Sequence, residues 1–223
     1  MTQPDNTVAP DGLKFFGQMS ASISHELKNA LSIMNESAGL LGDLSAVAEQ
    51  GGAIEPAKVK RLSGMVQQQI KRADDIIRNM NRFSHLVDEP FRQIETSDFL
   101  RLVAQICRRL AASAGARLAA EEAGKPLNIV TRPFYLHYLL WELIQFSINT
   151  AGATGDLTLM AEPAPDGGGV HIVFSGLETL PDNPEQHLKG HTGKALMSLL
   201  GAKLHGNAPE KILILFLPET MDQ

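Results

Sequence analysis

The sequence predicts an α+β protein in which a long antiparallel helical hairpin, paired with a second copy into a dimeric four-helix bundle, precedes an α/β sandwich. Three observations predict it. Apolar residues recur at alternating spacings of three and four through the first ninety positions, a loop containing Gly51, Gly52 and Pro56 divides that pattern in two, and the periodicity changes after Asp88-Glu89-Pro90.

The first stretch reads Leu13, Phe16, Ser20, Ile23, Leu27, Ala30, Met34, Ser37, Leu41 and Leu44, eight of ten apolar. The second reads Val59, Leu62, Val66, Gln69, Ala73, Ile76, Met80, Phe83 and Val87, eight of nine apolar. Each helix of about 30 residues would run about 45 Å. One hairpin cannot cover both seams along that length, so a homodimeric four-helix bundle is the simplest solution.

Beyond Pro90, Ser97 is a plausible N-cap for a helix carrying Phe99, Leu100, Val103, Ile106, Cys107 and Leu110. A short strand comes next at Leu127 to Val130, then a helix from Phe134 to about Thr150. Strands at Leu157 to Ala161 and Val170 to Phe174, a helix at Gly193 to Leu204 and a last strand at Ile212 to Leu217 complete the pattern. That order places helices on one face of a sheet. The expected organisation is a disordered N-terminus over 1–10, the hairpin over 11–90 and the sandwich over 91–223.

Composition excludes several classes. The 223 residues are 43% hydrophobic, enough for a packed core, and the net charge of -5 with no long basic tract argues against nucleic acid as a partner. The single cysteine, Cys107, reads as a buried thiol, and there is no disulfide framework and no multi-cysteine zinc site. No apolar run of about 18 residues and no basic segment followed by an apolar one appears. Membrane insertion is not expected, and a cytoplasmic location is.

Within the first heptad stretch lies Ser24-His25-Glu26-Leu27-Lys28-Asn29. If Ile23 is a d position and Leu27 the next a, His25 falls at f, farthest from the seam, and Asn29 lies one turn along on the same face. This run resembles the signature of the dimerisation and phosphoacceptor domain of sensor histidine kinases, and the chain beyond the hairpin resembles a worn copy of their ATP-binding domain. The resemblance implies that His25 is the phosphoacceptor and that Asn29 stands where the family carries a Thr or Asn that orients water for dephosphorylating a receiver. Glu26 is a candidate acceptor for the second imidazole nitrogen, with an interhelical ion pair as an equal reading. Lys28 and Ser24 are candidate contacts to a partner, with a solvated surface role as the bland reading. Ala30 stands where the family usually has proline.

The nucleotide motifs depart from the family one by one. In Leu140-Trp141-Glu142-Leu143-Ile144-Gln145-Phe146-Ser147 the asparagine expected to hold Mg²⁺ is replaced by Phe146, and a phenyl ring cannot coordinate a hard cation. After the strand ending at Phe174 the chain has Ser175-Gly176-Leu177-Glu178-Thr179-Leu180, without the family's adenine-reading Asp. The glycine-rich turn is reduced to Gly190-His191-Thr192-Gly193-Lys194-Ala195, and Lys194 does not restore a P-loop because Ala195 lacks the hydroxyl.

A phosphoacceptor hairpin without a nucleotide site resembles the dimeric histidine phosphotransferases. The expected function is phosphorelay transfer between receiver-domain aspartates through His25 without ATP, with no cofactor on this chain and Mg²⁺ supplied by the receiver. Response-regulator receivers are the expected partners, with a hybrid histidine kinase as a further candidate. The alternatives are a non-enzymatic pseudokinase adaptor, a response-regulator phosphatase, or a divergent ATP-dependent kinase. His85, His137, His171, His187, His191 and His205 read as structural or solvent-facing, Trp141 and Phe146 as core, and Asp166-Gly167-Gly168-Gly169 as a hairpin turn.

Overall fold

A computed structural model of the protein describes residues 5–149, 152, 155–188 and 190–220, with side-chain surroundings defined for all of these except 5–9, 187, 190 and 191. They form two compact units, one of residues 18–82 and the other of the chain up to Gly17 together with Phe83 onward. The sequence placed the division at Pro90 and read the first ten residues as disordered. Residues 1–4 lie outside those described, and helix α1 (Asp5–Glu49) has its first turns with the sandwich. The physical reason is Phe15, which is 1% exposed and sits among the rings of that unit. There Gly12 and Phe15 are the buried positions, while Leu13 turns outward at 74% exposure.

The hairpin unit carries the rest of α1 and most of helix α2 (Pro56–Ser84). α1 ends in a Schellman turn: Gly51 takes φ +79°, its amide donates to Ala48 O at 2.9 Å, and Gly52 N–H donates to Val47 O at 2.9 Å. A Cβ on Gly52 would lie 2.9 Å from that same carbonyl, so the reversal needs glycine. Pro56 opens α2, where its missing N–H is no loss. Ile23, Ala30 and Ser37 of α1 and Leu62, Ala73 and Ile76 of α2 are buried, all at predicted seam positions. Leu31, Leu40, Val47, Met65, Ile70 and Ile77 remain exposed on the same two helices.

The sandwich begins with β1 (Arg92–Glu95), α3 (Thr96–Ser113) and β2 (Ala116–Ala120). It continues through β3 (Asn128–Thr131), α4 (Pro133–Asn149), β4 (Gly155–Pro163) and β5 (Gly169–Ser175), and closes with α5 (Gly190–Leu199), β6 (Lys203–Asn207) and β7 (Ile212–Pro218). β1 and β3 form an antiparallel pair, and the other strands make one sheet in the order β2-β4-β5-β7-β6, in which only the β2–β4 pairing is parallel. Leu157, Leu159 and Ala161 of β4, Ile172 and Phe174 of β5 and Leu213, Leu215 and Leu217 of β7 are fully buried and in register. The intervening Met160, Ile214 and Phe216 are half-buried, so one face carries the helices. α3 lies on β2 and β4, and α4 packs against α3 and α5.

The mixed α+β plan agrees with the sequence, with local differences. The N-cap of α3 is Glu95, whose carboxylate accepts from Ser97 N at 2.9 Å and Asp98 N at 2.7 Å, whereas Ser97 is buried and its hydroxyl accepts from Ala123 N. Helix α5 stops at Leu199 because Gly201, at φ +59°, reverses the chain with Ala202 N–H on Met197 O, which makes Leu204 a strand residue. β1, β2 and β6 were not foreseen. Ala-Arg-Leu-Ala-Ala in β2 has helical composition, and only pairing with β4 holds it extended. The hairpin turn after β4 is as expected, with Gly167 at φ +78° donating to Ala164 O.

Candidate functional site

The Ser24–Asn29 run lies in the middle of α1 within the hairpin unit. Ile23 and Ala30 bracket it as buried residues, and Leu27 between them is half-buried. Those three fix the helix rotation, and the opposite side then presents Ser24, His25, Lys28 and Asn29 to solvent. Glu26 is half-exposed at the edge of that surface. The face combines a nucleophilic imidazole, a cation and an amide within two turns, on a rigid helix. An exposed imidazole on such a face is open to an incoming electrophile.

Of the positions that the resemblance assigns to nucleotide motifs, Phe146, Leu177 and Gly193 are buried in the sandwich, whereas Gly176, Glu178, Thr179 and Lys194 are exposed. Phe146 and Glu142 are buried on α4, and Ser147 donates to Leu143 O at 2.8 Å, so its hydroxyl serves the helix. Gly176, at φ +89°, has the Asp156 carbonyl where a Cβ would sit, and Leu177 is buried beside it. Gly193 is needed because a Cβ there would meet Leu188 at 2.7 Å, a packing role. Thr192 donates to Asp11 Oδ2 at 2.8 Å, tying the first turns of α1 to α5. Bonds from Lys14 and then Thr192 hold the Asp11 carboxyl below the usual range.

Nothing in the sequence pattern signalled the aromatic cluster in this unit. Phe15 stacks on Tyr138 at 4.6 Å and meets Phe134, Trp141 and the His137 ring at 5.7, 5.3 and 5.6 Å. Phe83 stands edge-on to His137 at 5.1 Å. His137 is wholly buried, neither ring nitrogen has a hydrogen-bond partner, and burial pushes its pKa down to about 3. Burial, with help from Glu142 and Asp11, pushes Tyr138 up to about 12. Trp141, read as core, is only half-buried. Cys107 is buried as expected, and desolvation raises its thiol to about 12. His85 is exposed with its Nδ1 2.6 Å from Asp88, His205 is exposed and His171 half-buried, while the side chains of His187 and His191 lie outside those described.

Among the described residues no group of three His, Cys, Asp or Glu side chains is placed to hold a metal, and no helix is long and apolar enough to cross a membrane. No family model matches the sequence, and no curated protein matches it. Among solved structures, the catalytic domain of histidine kinase ThkA is similar over 60% of this chain and 100% of its own, at 15% identity and a TM-score of 0.48. Acinetobacter baumannii histidine kinase AdeS is similar over 87% and 98%, at 11% identity and a TM-score of 0.48. A bacterial phosphotransferase is similar over 90% and 94%, at 13% identity and a TM-score of 0.46. All three scores lie below 0.5, so the chemistry of the site rests on the chain's own residues.

Proposed function

We propose that the protein is a histidine phosphotransferase of a two-component phosphorelay, with His25 as the phosphoacceptor. The observation that carries this reading is the solvent-facing placement of His25 with Lys28 and Asn29 inside the Ser24–Asn29 run, above a buried Ile23 and Ala30. A receiver domain carrying an aspartyl phosphate docks on this face. The lone pair of the neutral imidazole attacks phosphorus, the P–N bond forms as the P–O bond to the aspartate breaks, and the carboxylate leaves with its electron pair. The second receiver takes the phosphoryl group by the reverse step. In-line placement is most of what such a transfer asks, since the receiver brings its own Mg²⁺.

In this reading Glu26 accepts from the second imidazole nitrogen, and Lys28 and Ser24 touch the receiver. Independence from ATP is supported by Phe146 buried where the family needs a cation ligand, and by Gly193 serving a contact with Leu188. Homodimerisation is supported by Leu31, Leu40, Val47, Met65, Ile70 and Ile77, exposed apolar residues on both helices of one unit. A cytoplasmic location goes with receivers as partners. Asn29, exposed one turn from His25, favours a second output from the same face, dephosphorylation of the receiver.

The test is acid-labile phosphate on purified protein, wild type against His25→Ala, offered phosphorylated receiver domains or Mg-ATP. Label from receivers that is absent in His25→Ala is the expected result. Label from Mg-ATP would make the chain a kinase, and no label from either source would leave an adaptor.

A further inference from the structure

Two clefts of the sandwich unit meet along one edge. The first, of about 340 Å³, is walled by Gly12, Leu13, Phe16, Val87, Phe134 and Tyr135. The second, of about 390 Å³, shares Val87, Phe134 and Tyr135 and adds Glu89 and Arg132. Leu13 and Val87 are 74% and 54% exposed, the two most exposed large apolar side chains among the described residues, and both line the same cleft. Such exposure has a cost in water that a covering surface would remove.

Arg132 supplies the polar end. It sits between the last residue of β3 and Pro133, the first of α4, and its carbonyl accepts from Leu136 N at 3.0 Å, so its backbone is fixed. Its guanidinium lies 4.4 Å from the Phe91 ring centroid. Its Nε is buried with no hydrogen-bond partner, and among the described residues no carboxylate pairs with it, although Glu89 lines the same cleft. Arg132 is thus a half-buried cation beside a ring with no carboxylate partner among the described residues, and its outer N–H groups can donate to an incoming carboxylate.

We propose that this double cleft is a docking groove for a partner protein. The partner segment would seat a large apolar side chain among Leu13, Phe16 and Val87 and lay a carboxylate on Arg132. Charge complementarity selects the acidic end, and the open rim formed by Leu13 and Val87 suits a protein segment better than a small molecule, which is normally enclosed. The groove is independent of His25 and of the phosphorelay reading.

The probe is a fluorescent alanine-based helical peptide with two leucines one turn apart and a glutamate on the next turn, read by anisotropy on the full chain. Its control has glutamine for the glutamate. On wild type the glutamate peptide is expected to bind at least about tenfold tighter than the control, as a charge-assisted hydrogen bond supplies. Arg132→Gln should abolish that difference, and Val87→Asp, at an exposed position that the fold tolerates, should weaken both peptides. Equal affinities on wild type, a preference that survives Arg132→Gln, or no binding of either peptide overturns the proposal. So does binding of phosphatidylglycerol vesicles, lost in Val87→Asp, without peptide binding.

Discussion

His25 and His137 show how differently the two units use one residue type. His25 stands on a helix whose buried stripe is narrow, exposed, with its surroundings left to whatever docks there. His137 stands on α4, a helix buried nearly all round, and is enclosed by Phe15, Phe83 and Phe99 with no partner for either nitrogen. The hairpin holds its histidine where folding asks least of it. The sandwich gives α4 to packing, even where that leaves a polar ring stranded.

The strongest way to break this contrast is to remove packing from the sandwich. Phe15→Ala would delete a fully buried ring that touches five others, and large-to-small aromatic changes of this kind cost about 3–5 kcal/mol. Urea unfolding should show that loss in the midpoint. A change below about 1 kcal/mol would mean that the first turns of α1 are not part of the sandwich core.

A second experiment sharpens the contrast through pH. The folded pKa of His137 is pushed down to about 3 from 6.5, so below pH 6.5 the unfolded chain takes up a proton that the folded chain refuses. Its contribution to stability is therefore full above pH 6.5 and is lost as pH falls toward 3, by up to about 1.4 kcal/mol per unit. His137→Phe removes this dependence. Between pH 7.5 and pH 5.0 the wild type should lose about 2 kcal/mol more than His137→Phe in urea titrations. Parallel losses would show that the ring is solvated in the folded state.

What could be read in the sequence depends on how local each signal is. Heptad spacing located the hairpin seam from Ile23 to Ile76, because burial on a helix repeats every three or four residues, though it took Ser20 where Met19 is buried. Ile23 and Ala30 then fixed which way His25 faces. The same reading held at Phe16, which stacks on Phe83, but misplaced Leu13, in turns where Phe15 faces α4, a choice made by residues more than a hundred positions away. Strands β1, β2 and β6 were hidden for a related reason: their pairing partners, not their composition, keep them extended. Arg132 and its cleft were illegible, because only folding brings Phe91, Val87 and Leu13 beside it.

A smaller effect tests how the sandwich starts its first helix. Glu95 is partly buried, which by itself raises a carboxyl pKa, yet the amides of Ser97 and Asp98 hold it below 4.5. The charged cap thus stabilises α3 above about pH 4.5, and the contribution fades as acid titrates the carboxylate in the folded state. Glu95→Ala should cost about 1 kcal/mol at pH 7 in thermal or urea unfolding, and less near pH 3. A pH-independent loss would assign the effect to packing.

The smallest expected effect is the most telling for function. His25 is exposed on a regular stretch of helix, and alanine has the higher helix propensity by up to about 0.7 kcal/mol. His25→Ala should therefore leave the folded state unchanged or slightly stabilised, with the thermal midpoint equal or raised by a few degrees, while phosphoryl acceptance disappears. A residue under no structural obligation whose removal ends the chemistry is one whose place in the helix is owed to function. If the midpoint instead fell as it does for Phe15→Ala, His25 would be a packing residue, and the contrast between the two histidines would be lost.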